Sequence, residues 1–129
     1  SDLSRVNLTD NKDEIINKIK KAKTDPLPMP KNVNELNDRA EAKNLLGIYA
    51  SITNSTLDKA IENFTGKNFS EFKEKLSEVL VDEREPISTE IKKLLNDQLY
   101  LDNILSDGAD RANVIASKKI KKIKEIVGF

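Results

Sequence analysis

Apolar side chains return every three or four residues along most of this chain, the spacing of one face of an α-helix. Ile15, Ile16, Ile19 and Ala22 mark a first helix after Thr9-Asp10, with Asp10 as its expected cap and Lys18, Lys20, Lys21 and Lys23 supplying positive charge near its C-terminus. Thr24-Asp25-Pro26 stops it, and the segment DPLPMPK from Asp25 to Lys31 reads as an extended connector, because three prolines in seven residues forbid a helix. Ala42, Leu45, Leu46, Tyr49 and Ile52 predict a second helix over 39–51, in which Gly47 is expected to permit a close helix crossing. After a turn at Thr53-Asn54-Ser55, Ser55 and Asp58 resemble a capping box for a short helix with Leu57, Ala60, Ile61 and Phe64 inside. Gly66 closes that helix as a left-handed cap.

A longer pattern begins near Phe69. Phe72, Leu76, Val79, Leu80, Ile87, Ile91 and Leu94 hold one phase, with a kink or tight break expected at Pro86. Asn96-Asp97 signals another start, leading through Leu99, Leu101, Ile104 and Leu105 to Asp107-Gly108. The final helix is expected from about Ala109 to Val127, with Ala109, Ala112, Ala116, Ile120, Ile123 and Val127 on one side. Lys118, Lys121 and Lys122 point away from that side. The fold class these elements predict is all-α, a helical bundle.

Composition agrees with helices rather than a covered sheet: 37% of residues are hydrophobic, 34% charged and only 5% aromatic. Lys+Arg and Asp+Glu both number 22, so no net field draws in polyanions and any nucleic-acid contact needs a local basic face. Cysteine and histidine are both absent, which rules out disulfides and thiolate metal sites and removes the commonest neutral-pH base. No metal site is expected. No run approaches the length of a membrane span and the first residues carry no signal-peptide core, so no membrane is expected and the location reads as intracellular.

The acidic residues Glu71, Glu74, Glu78, Asp82, Glu83, Glu85 and Glu90 read more simply as a solvated face than as an acid–base pair. No phosphate-cradling glycine loop is present. Reacting groups for any enzymatic chemistry are therefore expected elsewhere. Lys118, Lys121 and Lys122, with Arg39 and Lys43 at the head of another helix, are candidates for phosphate contact. A solvated face at a helix C-terminus is the plainer reading of the lysines. Tyr49, Phe64, Phe69 and Phe72 keep phase with aliphatic neighbours and read as core rather than base-stacking platforms.

Several stretches, taken in order, carry a family resemblance. They are SDLSRVNLTDN with KIKKAKTDP, then DRAEAKNLLGIYASIT, GKNFSEFKEKLSEVLVD, EPISTEIKKLL and DGADRANVIASKKIKKIKEIVGF. Together these resemble the C-terminal part of bacterial and mitochondrial-type tryptophanyl-tRNA synthetases, which are class I aminoacyl-tRNA synthetases. Ala40 stands where that family usually has a proline. The resemblance implies a parent ligase that activates tryptophan with ATP and Mg2+ and passes it to tryptophan tRNA. It also implies a homodimer located in the cytoplasm, or in the mitochondrial matrix for organellar versions. By the same resemblance, residues 1–31 are the remnant of the nucleotide-binding domain, 33–105 the helical anticodon-binding domain, and 106–129 a helix that packs back on the nucleotide-binding domain. Ser1 would be the last residue of the KMSKS motif or a serine a few positions beyond it, and Arg39, Lys43 and Asn44 would face the tRNA. For Asn44 the alternative is a packing or capping hydrogen bond. A chain of this extent is expected to be a fragment, inactive alone and without a cofactor of its own. The other reading is an independent helical interaction module.

Overall fold

The computed structural model describes residues 2–128, and they form two compact units that divide between Thr89 and Glu90. Among the described residues five α-helices form, each with an apolar stripe along its length and all but α2 with a side-chain cap at the start: α1 Lys12–Lys21, α2 Ala40–Ile52, α3 Leu57–Phe64, α4 Phe69–Asn96 and α5 Gln98–Val127. Single turns of 3-10 helix occupy Asp2–Ser4 and Val33–Leu36. The all-α architecture expected from periodicity is what forms.

The caps are local, and two of them are reciprocal. Asn11, not Asp10, starts α1: its side chain accepts from the Glu14 amide while Glu14 accepts from the Asn11 amide. Asn68 and Glu71 repeat this exchange at the head of α4. Thr56, rather than Ser55, caps α3 by accepting from the Lys59 amide. Asp97 caps α5 through the Tyr100 amide, and Gly128 ends it at φ +83°, where a side chain would be strained. Gly66 adopts φ +79° after α3, as its position predicts.

The core of the first unit is built where α1 to α4 turn their apolar stripes inward. Phe72 and Leu76 of α4 are fully buried among Leu46 of α2, Ala60 and Ile61 of α3, and Ile15 of α1. Tyr49, Phe64 and Phe72 meet edge to face, with ring centroids 4.9 Å apart for Tyr49–Phe64 and for Phe64–Phe72. Phe69 joins them at 6.4 Å from Phe72. Tyr49, Phe64 and Phe72 are core, as their phase indicated, and Phe69 packs against them partly buried.

Three expectations need correction. Pro86 does not divide α4, which is one helix from Phe69 to Asn96. Past the proline the buried position is Ser88, while Ile87 is 47% exposed, because burial along α4 steps by fours and so winds around the helix. What lies against that end is polar backbone: Arg84 donates to the Asn7 carbonyl at 2.9 Å and Ser88 Oγ lies 3.5 Å from the Asp10 carbonyl. Gly108 likewise fails to break α5, which runs unbroken through it. Gly47 makes no close crossing either, since a Cβ there would meet nothing within 4 Å.

Candidate nucleic-acid interface

The head of α2 is the better-defined candidate. Arg39 stands at the N-cap position, yet its side chain makes no cap bond. Its guanidinium instead reaches back across the proline-rich connector. Nε and one terminal nitrogen donate to the two Asp25 carboxylate oxygens at 2.9 and 2.8 Å, and that nitrogen also donates to the Pro28 carbonyl at 2.9 Å. The same group lies 5.7 Å above the Phe69 ring. With Arg39 only 10% exposed and Asp25 23%, the pair is substantially desolvated. The Arg39 guanidinium holds the Asp25 carboxyl below its usual value against an opposing push from burial. The connector is fastened further by the Leu27 amide, which donates to Asp25, and by the Met29 amide, which donates to the Lys67 carbonyl.

Ala40 occupies the first helical position, where a proline is also well tolerated because that amide has no intrahelical acceptor. One turn along, Lys43 and Asn44 are exposed. Asn44 borders a cavity of about 480 Å³ whose apolar lining includes Ile19, Leu45, Ile48 and Leu80. Around it stand Arg5, Lys21 and Lys23, with Lys23 paired to Glu41 at 3.0 Å. Periodicity assigned the lysines after residue 17 to the α1 dipole, so this grouping with Arg5 was not legible in the sequence. The one signal for it was the density of lysine in KIKKAK.

Lys18 belongs to the interior. It is 6% exposed and bonds Asp10, itself 7% exposed, at 2.7 Å. Burial pushes the Asp10 carboxyl up, and the bonds from Lys18 and from the Asn7 amide and side chain outweigh it, so the group ends below its ordinary value. Lys73 of α4 performs a related task, donating to the Ala22 carbonyl at 2.6 Å and the Lys20 carbonyl at 3.3 Å where α1 ends.

In the second unit Lys118, Lys121 and Lys122 are exposed on α5, none of whose residues is buried. They lie on a different element and in a different unit from Arg39, Lys43 and Asn44. Ser1 lies outside the described residues. The acidic residues of α4 are exposed, as a solvated face requires. Among the described residues no group of three His, Cys, Asp or Glu side chains could hold a metal ion, and no helix is long and apolar enough to cross a membrane.

No protein-family model matches the chain. Curated relatives do. All 129 residues align at 46% identity with 36% of the length of a tryptophan–tRNA ligase from Agrobacterium fabrum. They align at 43% identity with 38% of the corresponding ligase of Caulobacter vibrioides, and at 43% with 38% of that of Rickettsia felis. The chain thus spans little more than a third of the length of the curated relatives it matches.

Proposed function

The chain is homologous over its whole length to tryptophanyl-tRNA synthetases, and on that premise we propose that it supplies the tRNA-facing helical part of a tryptophan–tRNA ligase. The observation that carries this reading is the 46% identity sustained across all 129 residues. The ligase activates tryptophan with ATP and transfers the tryptophanyl group to the 3′ end of its tRNA. The reacting groups for that chemistry belong to the remainder of the ligase, outside these helices. Residues 33–105 then correspond to the anticodon-binding domain, residues 1–31 to the end of the nucleotide-binding domain, and 106–129 to a returning helix. The ligase itself works as a homodimer, in the cytoplasm or the mitochondrial matrix.

Within this part, the roles at the head of α2 divide. Arg39, tied to Asp25 and Pro28, is an anchor that sets the start of the helix. Lys43 and Asn44, exposed on the next turn, are the groups presented to tRNA. A lysine there neutralises a backbone phosphate, and an asparagine can both donate to and accept from a base or ribose. Lys118, Lys121 and Lys122 offer further phosphate contacts from α5.

The test is fluorescence anisotropy of tryptophan tRNA against an unrelated tRNA at low salt. Tryptophan tRNA should bind the more tightly, and Lys43→Ala should lower the salt slope by about 1. Equal binding of the two tRNAs, or no binding at all, would overturn the reading. Tryptophan-dependent ATP–pyrophosphate exchange by the 129-residue chain alone should be absent, and robust exchange would refute the placement of the reacting groups elsewhere.

A further inference from the structure

The cleft beside Asn44 has the make-up of a small-molecule site. Its volume of about 480 Å³ falls within the range of about 300–1,000 Å³ typical of ligand clefts. Its floor is aliphatic: Ile19, Leu45 and Leu80 are buried, and Val6 and Ile48 are half-buried. None of Tyr49, Phe64, Phe69 and Phe72 is among its lining residues. The cations at its edge are of two kinds. Lys23 is paired to Glu41 at 3.0 Å, whereas Arg5 and Lys21 are exposed and, among the described residues, hold no carboxylate.

The walls of the cleft are held by bonds within the first unit itself. Arg84 of α4 donates to the Asn7 carbonyl at 2.9 Å and so fixes the stretch that carries Arg5 and Val6. The buried Lys18–Asp10 pair, at 2.7 Å, ties α1 to the same stretch. Lys73 donates to the Ala22 carbonyl at 2.6 Å just past the end of α1, and the Lys23–Glu41 pair links that end to α2. Floor, walls and edge therefore all come from elements that this chain already holds in place.

We propose that this cleft binds a small monoanionic amphiphile, an unbranched aliphatic chain ending in one carboxylate. The chain lies on the aliphatic floor and the carboxylate is held at Arg5 and Lys21. The chemistry of the lining selects this class. A nucleotide base gains most from stacking on an aromatic ring, which the floor lacks. An uncharged apolar molecule would make no use of the two cations, and a dianion would meet Glu41 at the same edge. A guanidinium grips one carboxylate through two parallel hydrogen bonds, and a lysine beside it adds a point charge. The inference does not rest on the tRNA reading, and the site belongs equally to a complete ligase that contains these helices.

The test is isothermal titration of the 129-residue chain with hexanoate, octanoate and decanoate, each below its micelle-forming concentration. Affinity should rise about fourfold for each added methylene. Decyltrimethylammonium, which puts the same tail on a cation, and uridine monophosphate should not displace decanoate. Arg5→Gln and Lys21→Gln change exposed side chains and should each weaken decanoate binding about three- to fivefold, with the helical circular dichroism unchanged. In methyl spectra the signals of Ile48 and Leu80 should shift with the titration, while that of Ile61, buried elsewhere in the core, stays in place. The complete ligase should bind decanoate with the same dependence on chain length. Affinity indifferent to chain length, displacement by the cation or by the nucleotide, binding unchanged by both substitutions, or binding by the 129-residue chain that the complete ligase lacks would each overturn the proposal.

Discussion

Replacing Arg39 separates an anchor from a tRNA contact. The guanidinium makes two charge-assisted bonds to Asp25 at 2.8 and 2.9 Å and one to a backbone carbonyl, with 10% and 23% of the two side chains exposed. A solvent-exposed pair is worth at most about 1 kcal/mol, and breaking a fully buried one costs about 3–5 kcal/mol. Partial screening places Arg39→Ala between these limits, at about 2–3 kcal/mol. Arg39→Lys keeps the charge but loses the planar fork and the ring contact, and should cost about 1–2 kcal/mol. A cycle combining Arg39→Ala with Asp25→Asn should give a coupling of about 1.5 kcal/mol. The assay is urea unfolding followed by the near-ultraviolet circular dichroism of Tyr49, which is buried against Phe64. With a slope near 1 kcal/mol/M for a unit of this size, the Arg39→Ala midpoint should fall by about 2 M or more. A coupling below about 0.5 kcal/mol, or a loss of tRNA affinity in Arg39→Lys without any fall in midpoint, would refute the anchoring role.

Other perturbations follow from the same geometry. Phe72→Ala removes the fully buried centre of the aromatic cluster and should cost about 4 kcal/mol, seen as loss of a cooperative urea transition in the first unit. Asp10 and Asp25 both have folded pKa values below their unfolded ones, so their contribution is complete above about pH 4 and is lost as pH falls through the lower folded values. Urea midpoints measured on acidification should drop in that window. Lys18→Met, which leaves the Asp10 carboxylate buried without its cation, should cost about 3 kcal/mol at neutral pH and reduce the acid sensitivity. Gly47→Ala, in a helix interior with open space around the new Cβ, should raise thermal stability by about 0.5–1 kcal/mol. Gly66→Ala has equal room but sits at φ +79°, and should lower it by about 1 kcal/mol.

Much of the local structure could be read directly, because the interactions that define it lie within four residues. The helix start at Asp97, the helix stop at Asp25-Pro26 and the left-handed Gly66 need no distant partner. Where the reading slipped locally, by one residue from Asp10 to Asn11 and from Ser55 to Thr56, two adjacent polar residues could each have capped, and the one with another bond left the cap to its neighbour. Asp10 was taken by Lys18, and Ser55 by Thr53. The candidate site was less legible. The sequence marked Arg39, Lys43 and Asn44 together by proximity, but the partners that separate Arg39 from its neighbours lie 11 and 14 residues away.

By itself, the sequence determined an all-α chain, its helix boundaries to within a few residues at several ends, its aromatic core and its homology, because periodicity and short-range chemistry are properties of neighbours in the chain. Only the tertiary structure decided which charges are interior and which are presented. Lys18, Arg39 and Lys73 look like any other lysine or arginine in the sequence, yet each is committed to a carboxylate or a carbonyl, whereas Lys43 is left facing solvent. It also decided that Ser88 rather than Ile87 is covered, since the surface against that end of α4 is backbone and not an apolar stripe. The physical reason is the same in each case: a long polar side chain takes its role from whatever the fold brings within 3 Å of its tip, and sequence spacing does not encode that distance.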